Sequence, residues 1–469
     1  MVTIGPWVVF KEVLTMEFTS LMDRQRQFFR SGVTLDVSRR KQALRALLQE
    51  MERREDELFA ALHADLGKAP FEGYMTELGM VREEIHFHLK HLDHWARDKR
   101  VPTPLSQFPA RSIRHPEPYG VVLVMAPWNY PIQLSLEPVI GAISAGNCVV
   151  LKPSAYAPAC SHALKELIAA CLPDNWVTVV EGGRAENQAL LEQPFDYIFF
   201  TGSVAVGRHV MEMAARNLTP VTLELGGKSP VIVTADADLP LAARRIMFGK
   251  LLNAGQTCVA PDYLLVDRTV QEQLTELLQQ EITRFLGETP LDDPDYPKII
   301  NEKHLHRLEG LLTGGRIVCG GTVKEGRIAP TLLDNLEPDA PVMQEEIFGP
   351  ILPILPFDTL EEAMDFVSNR PKPLALYLFS RDKEVQKKVL TRLSFGGGCL
   401  NDTIVHLTSP HLPFGGVGDS GMGSYHGKAS FDTFSHTKSI LIRGSWPDLD
   451  LRYHPYSDKK NRMLRRFLR

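Results

Sequence analysis

The sequence predicts an α/β protein of two or three substructures, the first built on a parallel sheet and a second also α/β, preceded by a helical segment. Three observations carry this reading. The chain has 469 residues, too many for one hydrophobic core, so it should divide. From Val121 onward, short continuous aliphatic runs alternate with segments of helical periodicity, the signature of βαβ units. After Cys258 a second series of the same kind begins.

From Ser38 to Leu66, apolar residues recur at helical spacing (Ala43, Leu47, Met51, Leu58, Leu62) with charges between them, and "GYMTELGMVREEIHFHLKHLDHWARDK" repeats the pattern. Helical patterning becomes clear only after Met16, which marks that methionine as the expected natural start. The residues before it lack a basic leader and are broken by Lys11 and Glu12, so they do not read as a signal peptide. The proline-punctuated stretch from Val101 to Tyr119 predicts a linker or hairpin. "VVLVMAP" then reads as a parallel strand buried on both faces. "NCVVLKPS", "WVTVVEGG", "YIFFTGS" and "SPVIVTADAD" continue the strands, with "SHALKELIAACL", "AENQALLEQ" and "VGRHVMEMAARNL" as the helices between them.

The second series runs through "YLLVD", the helix "VQEQLTELLQQEITRFL", "RIVCGG", "PTLLDN", "ILPILPFD", the helix "LEEAMDFVSN" and "ALYLFS". "SFGGGCLND" and "LPFGGVGDSGMGSYHG" predict glycine-rich loops, and "TKSILIRG" a last strand. The tail "SDKKNRMLRRFLR" reads as a short basic amphipathic helix, solvated rather than anchored; its basic face allows at most a weak peripheral membrane contact.

Hydrophobic content of 44% and charged content of 23% exclude disordered and fibrous classes. A net charge of −5 gives no field to hold nucleic acid or an anionic membrane, so neither is an expected partner. No window reaches the length of a membrane span. The six cysteines stand without CxxC pairs or histidines at ligand spacing, so neither a disulfide framework nor a metal site is suggested, and a reducing, cytoplasmic setting is expected.

Four separated segments combine structural punctuation with reactive groups. Asn129 in "APWNYP" follows a buried strand, where open α/β sheets bind ligands. Glu224 in "VTLELGGKSP" closes an apolar strand, where a carboxylate is costly unless paired or used. Cys258 in "NAGQTCVAPDY" lies among small and polar residues rather than aliphatics, and "QEEIFGP" supplies Glu346 and Phe348. Taken singly, each has a structural explanation: Asn129 as a turn cap, Glu224 as a partner of Lys228, Cys258 as a small buried residue.

Taken together and in order, "PWNYP", "LELGGKSP", "GQTCVAPDY", "EEIFGP" and "LPFGGVGDSGMG" resemble the aldehyde dehydrogenase superfamily. "APDY" and "PFGGVGDSGMGSYHG" are similar to its class 3 branch. The resemblance spans about Met16 to Gly444. It implies an aldehyde dehydrogenase-like fold, with a Rossmann-type cofactor domain (residues 1–100 and 120–224), an α/β catalytic domain (225–430), a small β oligomerisation arm (101–119 and 431–448) and the basic tail (449–469).

By the same resemblance, Cys258 is the nucleophile, Asn129 stabilises the oxyanion, and Glu224 is the general base that lets water hydrolyse the thioester. "FTGSVAVG" is implied as the cofactor turn, with Gly202, Ser203 and Gly207. Lys152 is implied to meet the adenosine ribose, Glu346 to hold the nicotinamide ribose, and Phe348 to pack beside it. Where many relatives carry a glutamate after "KPS", this chain has Ala155, so both NAD and NADP are expected as cofactors. Medium- or long-chain aliphatic and aromatic aldehydes are the implied substrates, and a homodimer the implied assembly. A tunnel lined by residues such as Tyr74, Trp128, Tyr130, Ile404 and His406 is expected to receive them. The competing readings are an acylating, coenzyme A-dependent enzyme, against which the retained Glu224 speaks, and a non-catalytic binding relative.

Overall fold

The structure, a computed structural model, describes residues 6–467. Its first helix already begins at Pro6 and runs to Arg30, so helical structure does not wait for Met16. Proline suits that first position, where an absent N–H leaves no helical bond unmade. Residues 1–5 lie outside the described residues. The helices Val37–Arg53, Glu55–Leu66 and Gly79–Trp95 follow, and Ala43, Leu47, Met51, Leu58 and Leu62 are all buried, as their spacing predicts.

Among the described residues the strands form two large sheets and two small ones. The first large sheet has the order Gly421–Met422, Val221–Glu224, Tyr197–Thr201, Val121–Met125, Cys148–Lys152, Val177–Val179. All its neighbours are parallel except Gly421–Met422, which is antiparallel to Val221–Glu224. Val121–Met125 is buried along its whole length, which accounts for its unbroken aliphatic composition. The segment Gly421–Met422, grouped with residues 225–430 in the sequence, thus completes the edge beside Glu224.

The second large sheet orders Arg316–Cys319, Thr331–Asp334, Ile351–Phe357, Tyr263–Asp267, Pro230–Val233, Ala375–Phe379 and Gly397–Leu400. Gly397–Leu400 corrects an expectation, because "SFGGGCLND" reads as a loop. Pairing with Ala375–Phe379 satisfies this backbone at the sheet edge, where few side-chain contacts are required to hold a strand. Lys99–Val101, Ala110–Pro118 and Ser435–Arg443 form a separate antiparallel sheet, so the proline-rich stretch is a hairpin that recruits the last strand. The tail forms the helix Asp458–Phe467. Among the described residues, no helix is long and apolar enough to cross a membrane.

Candidate active site

In the first sheet, Val121–Met125 comes earliest in sequence yet lies in the interior. The chain builds outward through Cys148–Lys152 and Val177–Val179, then returns to Tyr197–Thr201 on the other side. This reversal opens a crevice at the carboxyl ends of Val121–Met125 and Tyr197–Thr201, where ligands of open α/β sheets bind. The loop after the first strand carries Asn129; the turn after the second carries Gly202 and Ser203; Glu224 ends the next strand.

Cys258 arrives from the second substructure through a turn of unusual shape. Asn253, Ala254 and Gly255 have φ of 51°, 50° and 72°, three successive left-handed residues, of which the two non-glycines each cost of order 1–3 kcal/mol. Surrounding bonds hold the turn. Asn129 Nδ2 donates to the Gln256 carbonyl at 3.0 Å, and Asn253 Nδ2 donates to the Asn129 carbonyl at 2.7 Å. Gln256 Nε2 donates to the carbonyl of Lys298 at 3.0 Å. The two loops are therefore locked together.

Cys258 lines two cavities. One, of about 500 Å³, also receives Asn129, Gly202, Ser203, Glu224, Glu346 and Phe348. The other, of about 210 Å³, is apolar and is walled by Tyr130, Phe248, Ile404, Phe414 and Tyr425. Of the expected tunnel residues, Tyr130 and Ile404 line the apolar cavity. Trp128 faces the larger cleft instead, because it precedes Asn129 on the crevice side of the loop. Tyr74, 43% exposed, lines neither cavity, and His406 sits behind the wall with Nδ1 3.6 Å from Cys399 Sγ and its ring stacked near Phe414.

Burial dominates the electrostatics. It pushes the Cys258 thiol up to about 12, and the nearby carboxylates of Glu346 and Glu224 act in the same direction. Glu224 is 2% exposed, neither of its oxygens has a hydrogen-bond partner, and burial lifts it well above the usual carboxylate range. The expected alternative partner, Lys228, is bound to Asp262. Glu346 is raised to about 8, chiefly by burial and then by Asp262. The thiol therefore keeps its proton through the neutral range in the protein alone. Alkylation of Cys258 by iodoacetamide is expected to quicken about tenfold per pH unit over roughly pH 7–10 without levelling. A plateau near neutral pH would show a more acidic thiol than this burial gives.

The larger cleft has the donor set that a dinucleotide requires. The helix Val204–Ala215 opens on it, and Ser203 at its start makes no side-chain capping bond, which leaves the first amides free for an anion. Thr201 Oγ1 and Glu346 Oε1 are buried beside it without partners. A Cβ on Gly226 would collide with the Glu346 carboxylate, so glycine there permits the close approach of the two segments. Phe348 is held at φ 49°, with its ring 5.2 Å from that of Trp128. Not all predicted residues reach the cleft. Gly207 is where the helix packs on Leu225, 2.5 Å from where a Cβ would stand. Lys152 Nζ donates to the carbonyls of Pro153 (2.8 Å) and Gly182 (2.7 Å).

His304 and Arg307 also line the cleft. Sequence reasoning passed over them because they sit on the helix Glu302–Gly310, whose charged amphipathic pattern reads as surface. The His304 ring lies 5.2 Å from that of Trp128, tilted to it by 45°, and burial lowers its pKa to about 4; Arg307 donates to the carbonyls of Glu346 and Ile347.

A helix N-terminus left open at a topological switch point, on the same cleft as a thiol, places the protein among the dinucleotide-dependent oxidoreductases. The aldehyde dehydrogenase family model matches residues 10–440, and the chain belongs to that family. It is 49% identical over 438 residues to a 4,4'-diaponeurosporen-aldehyde dehydrogenase of Staphylococcus aureus, covering 92% of this chain and 95% of that protein. It is 47% identical over 452 residues to aldehyde dehydrogenase family 3 member B1 of Mus musculus, covering 95% and 96%, which agrees with the class 3 resemblance. A solved substrate-bound structure of Staphylococcus aureus AldH superposes with a TM-score of 0.95 at 47% identity, covering 96% of this chain and 99% of that one. The chain is an enzyme that oxidises aldehydes to carboxylic acids with a nicotinamide dinucleotide.

Proposed function

We propose that this enzyme oxidises medium- or long-chain aliphatic and aromatic aldehydes through a thioester on Cys258 that water then hydrolyses. One observation carries the reading: Cys258 lies where the apolar cavity meets the dinucleotide cleft. The Cys258 thiol gives its proton to water in the cleft; an aldehyde tail in the first cavity presents its carbonyl carbon to the sulfur, and a C–S bond forms as the carbonyl π electrons pass to the oxygen. The Asn129 amide has two N–H groups; the Gln256 carbonyl takes one, and the other is left for that oxygen, with the backbone N–H of Cys258. The bound dinucleotide supplies the hydride acceptor. Glu224 draws a proton from the water that attacks the thioester, and its two carboxyl oxygens, which have no hydrogen-bond partner in the protein, are free to accept it. Breaking the C–S bond returns the thiolate and frees the acid.

The roles extend along the cleft. Glu346 and Phe348 hold the nicotinamide end and Gly202 and Ser203 the pyrophosphate, while Lys152, which does not line the cleft itself, meets the adenosine ribose beyond it. The first sheet is the dinucleotide-binding part, the second the catalytic part, and residues 101–119 with 431–448 the pairing arm. Exposed Ile440, Leu441 and Ile442 on that arm support a homodimer. Unpaired cysteines support a cytoplasmic setting. Lys and Arg residues on Asp458–Phe467 support no more than weak membrane contact.

Both NAD and NADP serve as acceptors in this reading, because Ala155 is exposed after the strand Cys148–Lys152 and offers no carboxylate to repel a 2'-phosphate. Ala155→Glu is expected to lower kcat/KM for NADP by about 10–100-fold and to spare NAD. Equal effects on the two would remove Ala155 from cofactor selection. The function itself is tested by following dinucleotide reduction with a panel of aldehydes. Turnover that needs coenzyme A would replace hydrolysis with acyl transfer.

A further inference from the structure

Behind the Asn129 loop lies an ion pair that the proposed chemistry does not use. Lys68 Nζ and Glu77 Oε1 are 2.6 Å apart, and neither side chain exposes any surface. Glu77 reaches this position on a π-helical turn, Tyr74–Leu78, between Pro70–Gly73 and Gly79–Trp95. Wide turns of this kind are frequent at functional sites. Withdrawing two charges from water is unfavourable, so such a pair is weak evidence for added stability. Its contacts are more informative.

Those contacts converge on one loop. Glu77 Oε2 accepts the backbone N–H of Ile132 at 2.8 Å and of Gln133 at 3.3 Å, at the start of the helix Gln133–Ala145. Lys68 Nζ stands 3.5 Å from the Asn129 carbonyl and 4.2 Å from the centre of the Tyr130 ring. From the other side, Asn253 Nδ2 donates to the same Asn129 carbonyl, and Tyr130 Oη shares a 2.6 Å hydrogen bond with Thr257 Oγ1, next to Cys258. Glu72, on the same segment as the pair, accepts the backbone N–H of Asn253 at 2.9 Å. A cation thus faces the carbonyl that begins the turn and an anion faces the amides that end it. Hydrogen bonds to ionised groups are roughly twice as strong as neutral ones, so this arrangement fixes the peptide planes of the turn from both ends.

We infer that Lys68 and Glu77 are positioning residues that hold the Asn129 side chain in register with the oxyanion that forms above Cys258. The inference rests on the reading of Asn129 as the oxyanion donor. It requires that loss of the pair weakens transition-state stabilisation without weakening ground-state binding, because neither residue touches substrate or dinucleotide.

The test is the variant Lys68→Met/Glu77→Leu, which removes both charges and leaves none unpaired. Its kcat is expected to fall about 10–100-fold, the scale of a small misplacement of a catalytic group. The aldehyde KM, dinucleotide affinity and the iodoacetamide rate at Cys258 should stay within about twofold, since alkylation forms no oxyanion. Combined with Asn129→Ala, the double variant should cost nothing further, because both changes remove the same interaction. A folded double variant with kcat within about twofold of the parent, or losses that multiply in the combination, would overturn the inference. Should the double variant not fold, Glu77→Gln keeps the shape and one of the two acceptor oxygens while removing the charge, and the same comparisons are read on it. If Asn129→Ala alone leaves kcat unchanged, the oxyanion reading fails, and that result is distinct from a failure of the positioning claim.

Discussion

Cys258→Ala is expected to lower aldehyde oxidation by about 10⁴-fold or more, because in the proposed mechanism it removes the atom on which the covalent pathway forms. Dinucleotide binding should survive, since the thiol is only one edge of a cleft whose other walls are Trp128, Gly202, Glu346 and Phe348. Quenching of Trp128 fluorescence reports that binding directly, as the indole lines the cleft. The loss therefore appears in turnover and not in cofactor affinity. A variant that keeps activity within about tenfold of the parent would exclude Cys258 as the nucleophile. Cys399, half-buried beside His406, is the natural control. Cys399→Ala should leave the rate within a few-fold, because that thiol lines neither cavity.

Glu224→Gln is the second large effect. It should separate the two halves of the reaction, because acylation needs the thiol and deacylation needs the base. One equivalent of dinucleotide should be reduced per site in a rapid burst, followed by steady turnover slowed about 10²–10⁴-fold. Intact-protein mass spectrometry should then find the acyl group on Cys258. Stability should change little or rise, since the carboxyl oxygens of Glu224 have no hydrogen-bond partner to lose. A burst without an acylated cysteine, or full steady turnover, would remove Glu224 from water activation.

Much of this was readable from the residues. "VVLVMAP" and "YIFFTGS" announce buried strands because a parallel strand covered on both faces has no polar alternation to break the run. Asn129 and Glu224 stand out because each is a polar group at the end of an apolar strand, Cys258 because it sits among small and polar residues rather than aliphatics, and with Glu346 all meet on one cleft. The motif resemblance assigned them a shared chemistry. It did not separate Trp128 from Tyr130, neighbours across one residue that face different cavities.

Sequence by itself determined most of the elements and their order and singled out the candidate reactive groups, since periodicity and turn chemistry arise from neighbouring residues along the chain. Tertiary structure alone decided where the sheet order reverses, and so where the crevice opens. It also paired Gly421 with Glu224 and gave "SFGGGCLND" a strand partner. Above all it brought Lys68 and Glu77 under Asn129. Nothing local marks that pair, which reads as an ordinary charged helix end, because its meaning comes from contacts that only long-range packing creates.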